Sequence, residues 1–567
     1  MVNLSKEEVL KKYWGYDTFL PNQDKIISSI LSSNDTLGIL PTGGGKSLTY
    51  QIPALMQSGV CLIVEPLISL IKDQIDNLQK IGIKAVTINY LQSKERNQIA
   101  MNQCENYRAK FLFVAAERIM SSSFLIWLKQ IKVSFVVIDE AHCISQWGHN
   151  FRPSYRKLSI IKKEFPNLPI VALTATATEK VRQDIVNTLD LRKTNIIVGS
   201  FFRQNINIKV EQCTRKLERI AQIAENIPGC GIIYCLKRSD TVLLSQALRE
   251  RYHIDAAPYS ANLTAYEREK IQNDWIAGKV RIIVATIAFG MGINKADVRF
   301  VVHYDIPTNL ENFYQEFGRA GRDGNPAYSI LLYNKQDLNL HNYLSKADYP
   351  EKEIIYSVYN QLCNRYKISF RSGEGEMFAF DYDKFAIEMN LPNVIIKNSL
   401  RILQNEGWIE FGREQDPQSS IQILVENQQL NEFIQDYDEY WYIFEMLLRE
   451  FPSIHHDRVF INEKRFADFG RVSEKQVQKD LQAIMKKNII SYRPKIKDDY
   501  ILFKKNRPFK NTELLSKEIY DFPKQSSLKK SEQMREWILS KKCRWKEILK
   551  YFDEKISNCN NCDNCLQ

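Results

Sequence analysis

The sequence predicts an α/β protein with two parallel-sheet domains, followed by mostly helical modules and a small metal-binding module. Three observations support this fold class. Short apolar runs alternate with helical stretches, and the run Phe135–Ile138 ends directly in two acids, as expected of a buried parallel strand. After about Lys346 that alternation stops and an internal repeat begins. The last 25 residues contain four cysteines.

Composition and charge narrow the class of protein. The chain has 567 residues, of which 44% are hydrophobic, and a formal net charge of +11. At about 150 residues per domain, this length predicts about four domains. The mildly basic balance suits a polyanionic partner. The sequence has no run of 18 apolar residues and no signal-peptide core near its start, so we expect a soluble intracellular protein with no membrane partner.

The first candidate site is a phosphate-binding loop. A strand predicted at Leu37–Leu40 is followed by PTGGGKS and then by a helical stretch. The three glycines let the backbone approach phosphate oxygens at a helix N-terminus. The lysine adds positive charge for the β- and γ-phosphates, and the serine hydroxyl is a ligand for Mg²⁺. A Tyr and a Gln upstream would contact a purine, although helix packing explains them equally well. The residues assigned to the nucleotide are Tyr16, Gln23, Thr42, Gly43, Gly44, Gly45, Lys46 and Ser47.

Two acids, Asp139 and Glu140, follow the predicted strand Phe135–Ile138. In open α/β sheets, ligands collect at the carboxyl ends of the strands. Asp139 is placed to hold Mg²⁺, and Glu140 is placed to position and polarise the water that attacks the γ-phosphate. Thr174 and Thr176 end another strand. They are placed either to hydrogen-bond back to the acids or to cap the next helix.

The segment after the acids is rich in aromatic and basic residues. Aromatic rings stack on unpaired bases while arginine holds phosphate. An ordinary polar loop is the alternative interpretation. The residues assigned to nucleic-acid contact are Gln146, Trp147, His149, Phe151, Arg152 and Tyr155.

A second series of strands begins at Gly231–Cys235 and lacks a phosphate loop. It contains ENFYQEFGRAGRDG, in which Gln315, Arg319 and Arg322 lie at positions i, i+4 and i+7. They share one helical face if the helix continues through Gly318. Such arginines can reach the γ-phosphate of a nucleotide bound to a neighbouring domain. Arg322 is the expected arginine finger and Arg319 the alternative; a basic surface helix is the other interpretation.

An internal repeat lies between Lys346 and Asn506. FAIEMN…SLRILQNEGWIEF and FADFGR…DLQAIMKKNIISY superimpose with a constant shift of 81 residues, so that Phe385 corresponds to Phe466. Each copy predicts a helix, a second helix and a strand, the outline of a winged helix. Residues 491–505 are expected to form the wing of the second copy. Helical packing modules without nucleic-acid contact are the alternative.

The C-terminal cysteines follow the pattern C-x15-C-x2-C-x2-C. Four thiolates at such spacings predict a closed, tetrahedral zinc site. An iron–sulfur cluster is the alternative. The other seven cysteines are scattered singly and are expected to be buried thiols in a reducing compartment. The predicted zinc ligands are Cys543, Cys559, Cys562 and Cys565.

These blocks resemble the RecQ family of superfamily-2 DNA helicases. The resemblance is carried by LPTGGGKS, DEAHCISQWGHNFRPSY and ALTATAT, by AFGMGINKADVRF and ENFYQEFGRAGRDG as motifs V and VI, and by the cysteine tail. It implies two RecA-like domains, the cofactors ATP, Mg²⁺ and Zn²⁺, and single-stranded and tailed duplex DNA as partners. It also implies 3′→5′ movement with unwinding in repair and recombination, in a nucleoid-associated location. The chain departs from the family pattern at Leu20, Asn150, Ser260 and Asn262.

The residues are also compatible with two other functions. A DNA-binding regulator or remodeller could use ATP as a switch and read duplex sequence with its two winged helices. An RNA helicase is disfavoured only by the resemblance. The expected domain boundaries are 1–200 and 201–345 for the RecA-like domains, 346–430 and 431–506 for the winged helices, and 507–567 for the zinc-binding module.

Overall fold

The chain folds into two compact units in the computed structural model, Met1–Ser345 with Gln525–Gln567, and Lys346–Lys524. The structure describes residues 4–89, 92–145, 147–148, 151–287, 289, 295–412, 419–451, 454–455, 458–494, 499–509 and 512–566. Among the described residues, no helix combines the length and apolar character that crossing a bilayer requires.

The larger unit begins with a parallel sheet covered by helices. Its strands are β1 (Thr36–Ile39), β2 (Val60–Val64), β3 (Ala85–Ile88), β4 (Phe111–Val114), β5 (Val133–Ile138), β6 (Ile170–Thr174) and β7 (Asn195–Val198). The helices are α1 (Lys6–Trp14), α2 (Gln23–Leu31), α3 (Lys46–Met56), α4 (Ile68–Lys80), α5 (Lys94–Glu105), α6 (Ala116–Ile119), α7 (Ser122–Leu128), α8 (Pro153–Arg156), α9 (Ile160–Glu164) and α10 (Glu179–Thr188). The strand order is β3-β4-β2-β5-β6-β1-β7. The carboxyl ends of β1, β5 and β6 therefore meet at one edge, where ligands bind in such sheets.

A second parallel sheet follows in the same unit. Its strands are β8 (Ile206–Gln212), β9 (Cys230–Tyr234), β10 (Ala256–Tyr259), β11 (Ile282–Ala285), β12 (Val298–His303) and β13 (Ala327–Tyr333). The helices are α11 (Lys216–Asn226), α12 (Arg238–Tyr252), α13 (Ala265–Ile276), α14 (Leu310–Phe317) and α15 (Lys335–Ala347). The strand order is β10-β11-β9-β12-β13-β8. Both sheets therefore have the parallel architecture expected from their continuous apolar runs.

The helix expected to continue through Gly318 does not do so. Helix α14 ends at Phe317, and Gly318 is its cap residue. Arg319 and Arg322 lie in the turns that follow, so the expectation that they share a helical face with Gln315 is wrong. A sharp turn is possible because Gly321 has a φ of +54°, in the region that favours glycine.

The smaller unit contains two small antiparallel sheets, each flanked by helices. Its elements in chain order are α16 (Lys352–Arg365), β14 (Met377–Ala379), α17 (Tyr382–Met389), α18 (Asn393–Asn405), β15 (Ile409–Gly412), β16 (Ser419–Ile423), α19 (Asn427–Asp436), α20 (Trp441–Glu450), β17 (Val459–Ile461), α21 (Glu463–Gly470), α22 (Glu474–Lys486), β18 (Ile490–Arg493) and β19 (Tyr500–Phe503). The sheet orders are β14-β19-β15 and β17-β16-β18. The repeat is confirmed, because α17-α18-β15 corresponds to α21-α22-β18.

The second winged helix is inserted into the first. Strand β19 pairs with β14 and β15 of the first module, so the prediction that residues 491–505 form the wing of the second module is wrong for residues 500–503. Residues 491–493 belong to β18 of the second sheet, and residues 495–498 lie outside the described residues. The central strand of the second sheet, β16, comes before the helices of that module. The range predicted for the second module, 431–506, therefore does not match it. Its strand β16 precedes residue 431, and strand pairing joins β15 of the first module to a strand 88 residues further on, from Gly412 to Tyr500.

The C-terminal segment returns to the larger unit. It contains α23 (Phe522–Leu539), α24 (Arg544–Tyr551) and α25 (Asp563–Leu566). Helix α25 packs on β8, and Ile208 of β8 forms an isolated parallel bridge with Cys562. The cysteine cluster is thus attached to the edge of the second parallel sheet.

Candidate nucleotide and nucleic-acid site

The phosphate loop lies between β1 and α3. Gly43 and Gly45 have φ values of +85° and +67°, which favour glycine. The buried Gln23 donates from Nε2 to the carbonyl oxygens of Gly44 and Gly45, at 3.1 Å each. Its Oε1 accepts from the backbone N–H of Leu20 at 2.9 Å. Both ends of the Gln23 amide therefore hold backbone groups, so Gln23 braces the phosphate loop. Its predicted contact with a purine stays a prediction.

The two acids lie at the carboxyl end of β5, next to α3. Lys46 Nζ is 3.4 Å from Glu140 Oε1, and the Glu140 N–H donates to Asp139 Oδ1 at 2.8 Å. Burial raises the pKa of Asp139 to about 6, because a charged carboxylate is costly in a dry site. Ser47 Oγ accepts from Gln74 Nε2 at 3.2 Å and keeps a lone pair. The Asp139 carboxylate and the Ser47 oxygen therefore fit Mg²⁺, a cation that prefers oxygen ligands.

A chain of polar contacts leads from the acids to the second sheet domain. His142 Nδ1 lies 3.2 Å from Glu140 Oε2 and 2.9 Å from Thr174 Oγ1. Thr174 Oγ1 donates to the carbonyl oxygen of Thr176 at 3.3 Å. Gln315 Nε2, on α14, donates to Thr176 Oγ1 at 3.2 Å. Of the two roles left open for the threonines, the structure has the link to the acids, since neither threonine immediately precedes α10.

Arg203, in the linker before β8, ties the two domains together. Its Nη1 donates to the carbonyl oxygen of Thr42 at 3.1 Å. Its Nη2 donates to the carbonyl oxygens of Ala320 and Gly321 at 3.1 and 2.7 Å. One guanidinium thus bridges the phosphate loop and the arginine-bearing turn after α14.

Arg322 lies directly against the phosphate loop. A Cβ placed on Gly43 would be 3.1 Å from Arg322 Cγ. Burial, and then the charges of Arg319 and Arg203, lower the pKa of Arg322 to about 9. Arg319 is itself only 9% exposed. Positive charges crowded in this way favour an anion, and a triphosphate supplies one that arginine binds well.

Of the six residues predicted to contact nucleic acid, Gln146 and His149 lie outside the described residues. Tyr155 is 1% exposed, so it belongs to the core and the prediction that it contacts nucleic acid is wrong. The sequence predicts a loop at Tyr155, but the residue lies in α8, which packs against the segment after the acids. Arg152 Nη1 donates to the carbonyl oxygen of Pro66 at 2.6 Å, so part of its guanidinium is engaged within the domain.

Trp147 and Phe151 are partly exposed. Lys180 Nζ lies 3.0 Å from the centroid of the Trp147 ring, a cation–π contact. Lys530 Nζ, on α23, donates to the Trp147 carbonyl oxygen at 2.5 Å and lies 2.8 Å from Glu311 Oε1. The Lys530 and Glu311 side chains are 11% and 5% exposed. Glu311 is on α14, so Lys530 links the aromatic loop to the second domain.

The four C-terminal cysteines come together. Their sulfur atoms all lie within 4.8 Å of one another. The backbone N–H groups of Arg544 and Asn561 donate to the Sγ atoms of Cys562 and Cys559, at 3.4 and 3.3 Å. Such bonds orient and stabilise thiolate ligands. Four sulfurs with no open position fit a structural zinc ion. The cluster consists of Cys543, Cys559, Cys562 and Cys565.

The cysteine module also contacts both sheet domains and the linker between them. The Phe552 ring stacks on Phe201, with centroids 4.6 Å apart and an interplanar angle of 12°. The Glu179 N–H, at the start of α10, donates to Asp553 Oδ2 at 2.6 Å. Since α25 packs on β8, the module spans the junction that the nucleotide site depends on.

Sequence reasoning missed three residues of this site, Glu65, Arg203 and His142. Glu65 follows β2, next to β5, and is 1% exposed. Burial, and then Asp139 and Glu140, raise its pKa well above the usual value. Its place at the carboxyl end of a strand was a usable signal, the same one that identified Asp139. His142 lies in the DEAH segment that carries the family resemblance, which was also a usable signal. Arg203 lies in a linker, where no sequence pattern assigns a role.

Comparison with known proteins identifies four segments. The matching family models are described as DEAD/DEAH box helicase, helicase conserved C-terminal domain, RecQ helicase winged-helix domain of Bacteroidota, and RecQ zinc-binding. They match residues 20–185, 215–324, 421–494 and 509–566. The order of the matches follows the two sheet domains, the inserted module and the cysteine module.

Three similar proteins are named as ATP-dependent DNA helicases. An ATP-dependent DNA helicase RecQ of Haemophilus influenzae is 43% identical over 349 residues, which is 61% of this chain and 56% of that protein. A protein of the same name from Pasteurella multocida is 44% identical over 350 residues, 61% of this chain and 55% of that protein. The chain thus spans little more than half the length of these two relatives. A probable ATP-dependent DNA helicase RecS of Bacillus subtilis is 40% identical over 356 residues, 62% of this chain and 71% of that protein. With these relatives and with its nucleotide site and cysteine cluster, the chain belongs to the RecQ helicase family.

Proposed function

We propose that this protein is an ATP-dependent DNA helicase that moves 3′→5′ on single-stranded DNA and unwinds duplexes in repair and recombination. The observation that carries the proposal is the approach of Arg322 to Gly43, an arginine of one domain against the phosphate loop of the other. Hydrolysis then requires the two domains to be together, and each cycle of closing and opening moves the strand. The polarity and the role in repair rest on family membership.

The geometry of the proposed ATP site supports a separate role for each of its residues. The loop backbone and Lys46 hold the phosphates. Bound Mg²⁺, held by Ser47 and Asp139, would neutralise charge on the β- and γ-phosphates. Glu140 positions the attacking water. Tyr16, which is 58% exposed, is available to stack on the adenine. The residues proposed to bind or stabilise the triphosphate are Thr42, Gly43, Gly44, Gly45, Lys46, Gln315, Arg319 and Arg322.

The proposed DNA strand binds beside Trp147 and Phe151. A change in this loop would reach the ATP site over a short distance, because Arg152 N–H donates to the carbonyl oxygen of Cys143, in the turn directly after the acids, at 2.9 Å. Occupancy of the strand site would thereby be coupled to hydrolysis. A DNA substrate is consistent with the expected cytoplasmic, nucleoid-associated location.

The test is strand displacement with Mg²⁺ and ATP on matched duplexes that carry a 3′ tail, a 5′ tail or no tail. Unwinding confined to the 3′-tailed duplex is expected, and Lys46→Ala should unwind none. Displacement of the 5′-tailed duplex alone would reverse the proposed polarity. ATP turnover stimulated by DNA without any strand displacement would favour the ATP-switched regulator, whose two nested winged helices would then read duplex sequence.

A further inference from the structure

The first winged helix carries a two-stranded ribbon that extends the pairing of β14 with β19. The ribbon consists of residues 366–376 and 503–509. Its backbone hydrogen bonds continue the ladder: Arg371 N–H donates to the Arg507 carbonyl oxygen, and Arg507 N–H donates to the Ser372 carbonyl oxygen, each at 2.8 Å. The ribbon is thus held by backbone hydrogen bonds, and apart from Phe503, the last residue of β19, its residues lie outside the strands of the sheet.

Four side chains on this ribbon form a ladder of rings and guanidinium groups. The Phe370 and Phe509 rings are nearly parallel, at an interplanar angle of 22° with centroids 6.3 Å apart. Arg371 Cζ lies 4.7 Å from the Phe509 centroid, and Arg507 Cζ lies 4.7 Å from the Phe370 centroid. Each ring is therefore oriented by a cation–π contact with the opposite strand of the ribbon.

Arg507 connects the ladder to the core of the module. Arg507 donates from Nη1 to the Ile368 carbonyl oxygen at 2.8 Å and from Nη2 to Asn364 Oδ1 at 3.2 Å. Ile368 is 3% exposed, so this anchor reaches the hydrophobic core. Phe370 and Phe509 nevertheless remain 43% and 56% exposed. Two adjacent phenylalanines held in solvent by an ordered scaffold indicate an interaction surface.

The charge of the ribbon indicates the chemistry of its ligand. The two segments contain five basic residues and only two acidic ones, Glu374 and Glu376. Four of the basic side chains are exposed, although one of them, Lys504, also lies 3.5 Å from Glu410. Exposed rings interleaved with basic side chains suit stacked bases with phosphates alongside. The five basic residues are Lys367, Arg371, Lys504, Lys505 and Arg507.

We propose that this ribbon is a second binding site for single-stranded DNA, in which Phe370 and Phe509 stack on unpaired bases while Arg371 and Lys367 face phosphates. Phe370 and Phe509 lie outside the helices and strands of this module. It rests on the proposed function in one respect, which is that the substrate of the protein is DNA.

The test uses the full chain, a fluorescein-labelled oligothymidine of about 20 nucleotides and fluorescence anisotropy without ATP. The double variant Phe370→Ala, Phe509→Ala should weaken binding about tenfold or more, since it removes two aromatic rings on which bases stack, and stacking two bases raises the affinity by at least that factor. Replacing both phenylalanines by leucine should weaken binding to the same degree, because leucine keeps apolar bulk but lacks a ring. Ile387→Ala, which is 78% exposed on α17 of the same module, is the matched control and should bind as the parent does.

Unchanged affinity in the double alanine variant would overturn the proposal. Full affinity in the leucine variant, with loss only in the alanine variant, would also overturn it and would indicate an apolar docking surface for a protein. If the double variants fail to fold, as judged by circular dichroism, Arg371→Gln provides the test through severalfold weaker binding and a shallower dependence on salt. A parent protein that binds DNA but unwinds none would refute the helicase proposal and leave the result for the ribbon intact.

Discussion

At the residue scale, the proposed ATP site depends on two basic side chains that meet at one loop from different domains. Lys46 lies 3.4 Å from Glu140 Oε1, and Arg322 packs on Gly43. Neither lies in the aromatic segment that is proposed to hold the DNA strand. Nucleotide chemistry and strand binding are therefore separable by single substitutions.

We expect Lys46→Ala and Arg322→Ala each to abolish ATP turnover and to leave single-strand binding largely intact. Each removes a positive charge that stabilises the γ-phosphate in the transition state, a loss of at least about a thousandfold for an arginine finger. Steady-state ATPase assays with DNA and anisotropy with an oligonucleotide measure the two properties. Lys25→Ala and Arg251→Ala, at exposed positions on α2 and α12, are the matched controls. Retained hydrolysis in Arg322→Ala would assign the finger to Arg319.

Glu65 provides a pH-dependent prediction. Its folded-state pKa is raised by burial and then by Asp139 and Glu140, whereas the unfolded chain ionises near the ordinary pKa of about 4.3. The folded protein therefore loses stability as the pH rises above the unfolded value toward the folded one. Glu65→Gln keeps the shape and removes this ionisation, so its melting temperature should exceed that of the parent by more at pH 8 than at pH 5.

Thermal unfolding in EDTA without nucleotide measures this difference. The exposed Glu225→Gln on α11 should show no such trend. If the melting temperature of Glu65→Gln exceeds that of the parent by the same amount at both pH values, or by less at pH 8, the folded protein does not hold Glu65 at a raised pKa.

At the element scale, three segments far apart in the chain meet at Lys530. Helix α23 presents its ammonium group to the Trp147 carbonyl oxygen and to Glu311 of α14. One face of the Trp147 ring is meanwhile covered by Lys180. Lys530 at the backbone and Lys180 at the ring therefore hold Trp147 in one position.

We expect Lys530→Ala to lower the DNA concentration that gives half-maximal stimulation of ATP turnover. Removing a contact specific to the DNA-free arrangement shifts the population toward the DNA-bound one, by at most the free energy of that contact. The assay is ATP turnover as a function of oligonucleotide concentration. The neighbouring Lys529→Ala, exposed on the same helix, is the control. A higher half-stimulating concentration would show instead that Lys530 supports the DNA-bound loop.

At the scale of the whole molecule, the cysteine module braces the junction on which the ATP site depends. Its aromatic and acidic side chains pack on the linker residue Phe201 and on the start of α10. Linker residue Arg203, in turn, bridges the phosphate loop and the turn after α14. Metal binding at one end of the chain is thereby connected to domain geometry at the other.

We expect the purified protein to contain about one zinc ion per chain, and we expect metal removal to lower both its melting temperature and its DNA-stimulated ATP turnover. A structural zinc site contributes folding free energy directly, and here it also supports the linker. Elemental analysis of protein prepared without added metal, followed by melting before and after chelation, tests this. The variant Cys559→Ser removes one cysteine of the cluster and should act in the same direction as metal removal. Cys213→Ser, outside the cluster, is its control. Stoichiometric iron would replace the zinc assignment with a cluster.

The sequence predicted correctly those features that depend on short stretches of chain. The phosphate loop follows one strand, the acids follow another, and the cysteines lie within 23 residues, from Cys543 to Cys565. Tyr155 was misassigned because its neighbours in sequence are mostly polar or basic, whereas its neighbours in space are core residues. The wing was misassigned because β15 and β19 pair across an entire inserted module.

The sequence by itself determined the α/β class, the glycine-rich loop between β1 and α3 and the grouping of the four C-terminal cysteines, since periodicity and spacing are local properties. The tertiary structure decided which arginine lies against the phosphate loop and that Glu65 lies beside the acids. It also decided that Lys530 contacts a loop 383 residues away. These outcomes depend on which strands are neighbours and on how domains pack, and such contacts form between residues whose separation along the chain carries no pattern.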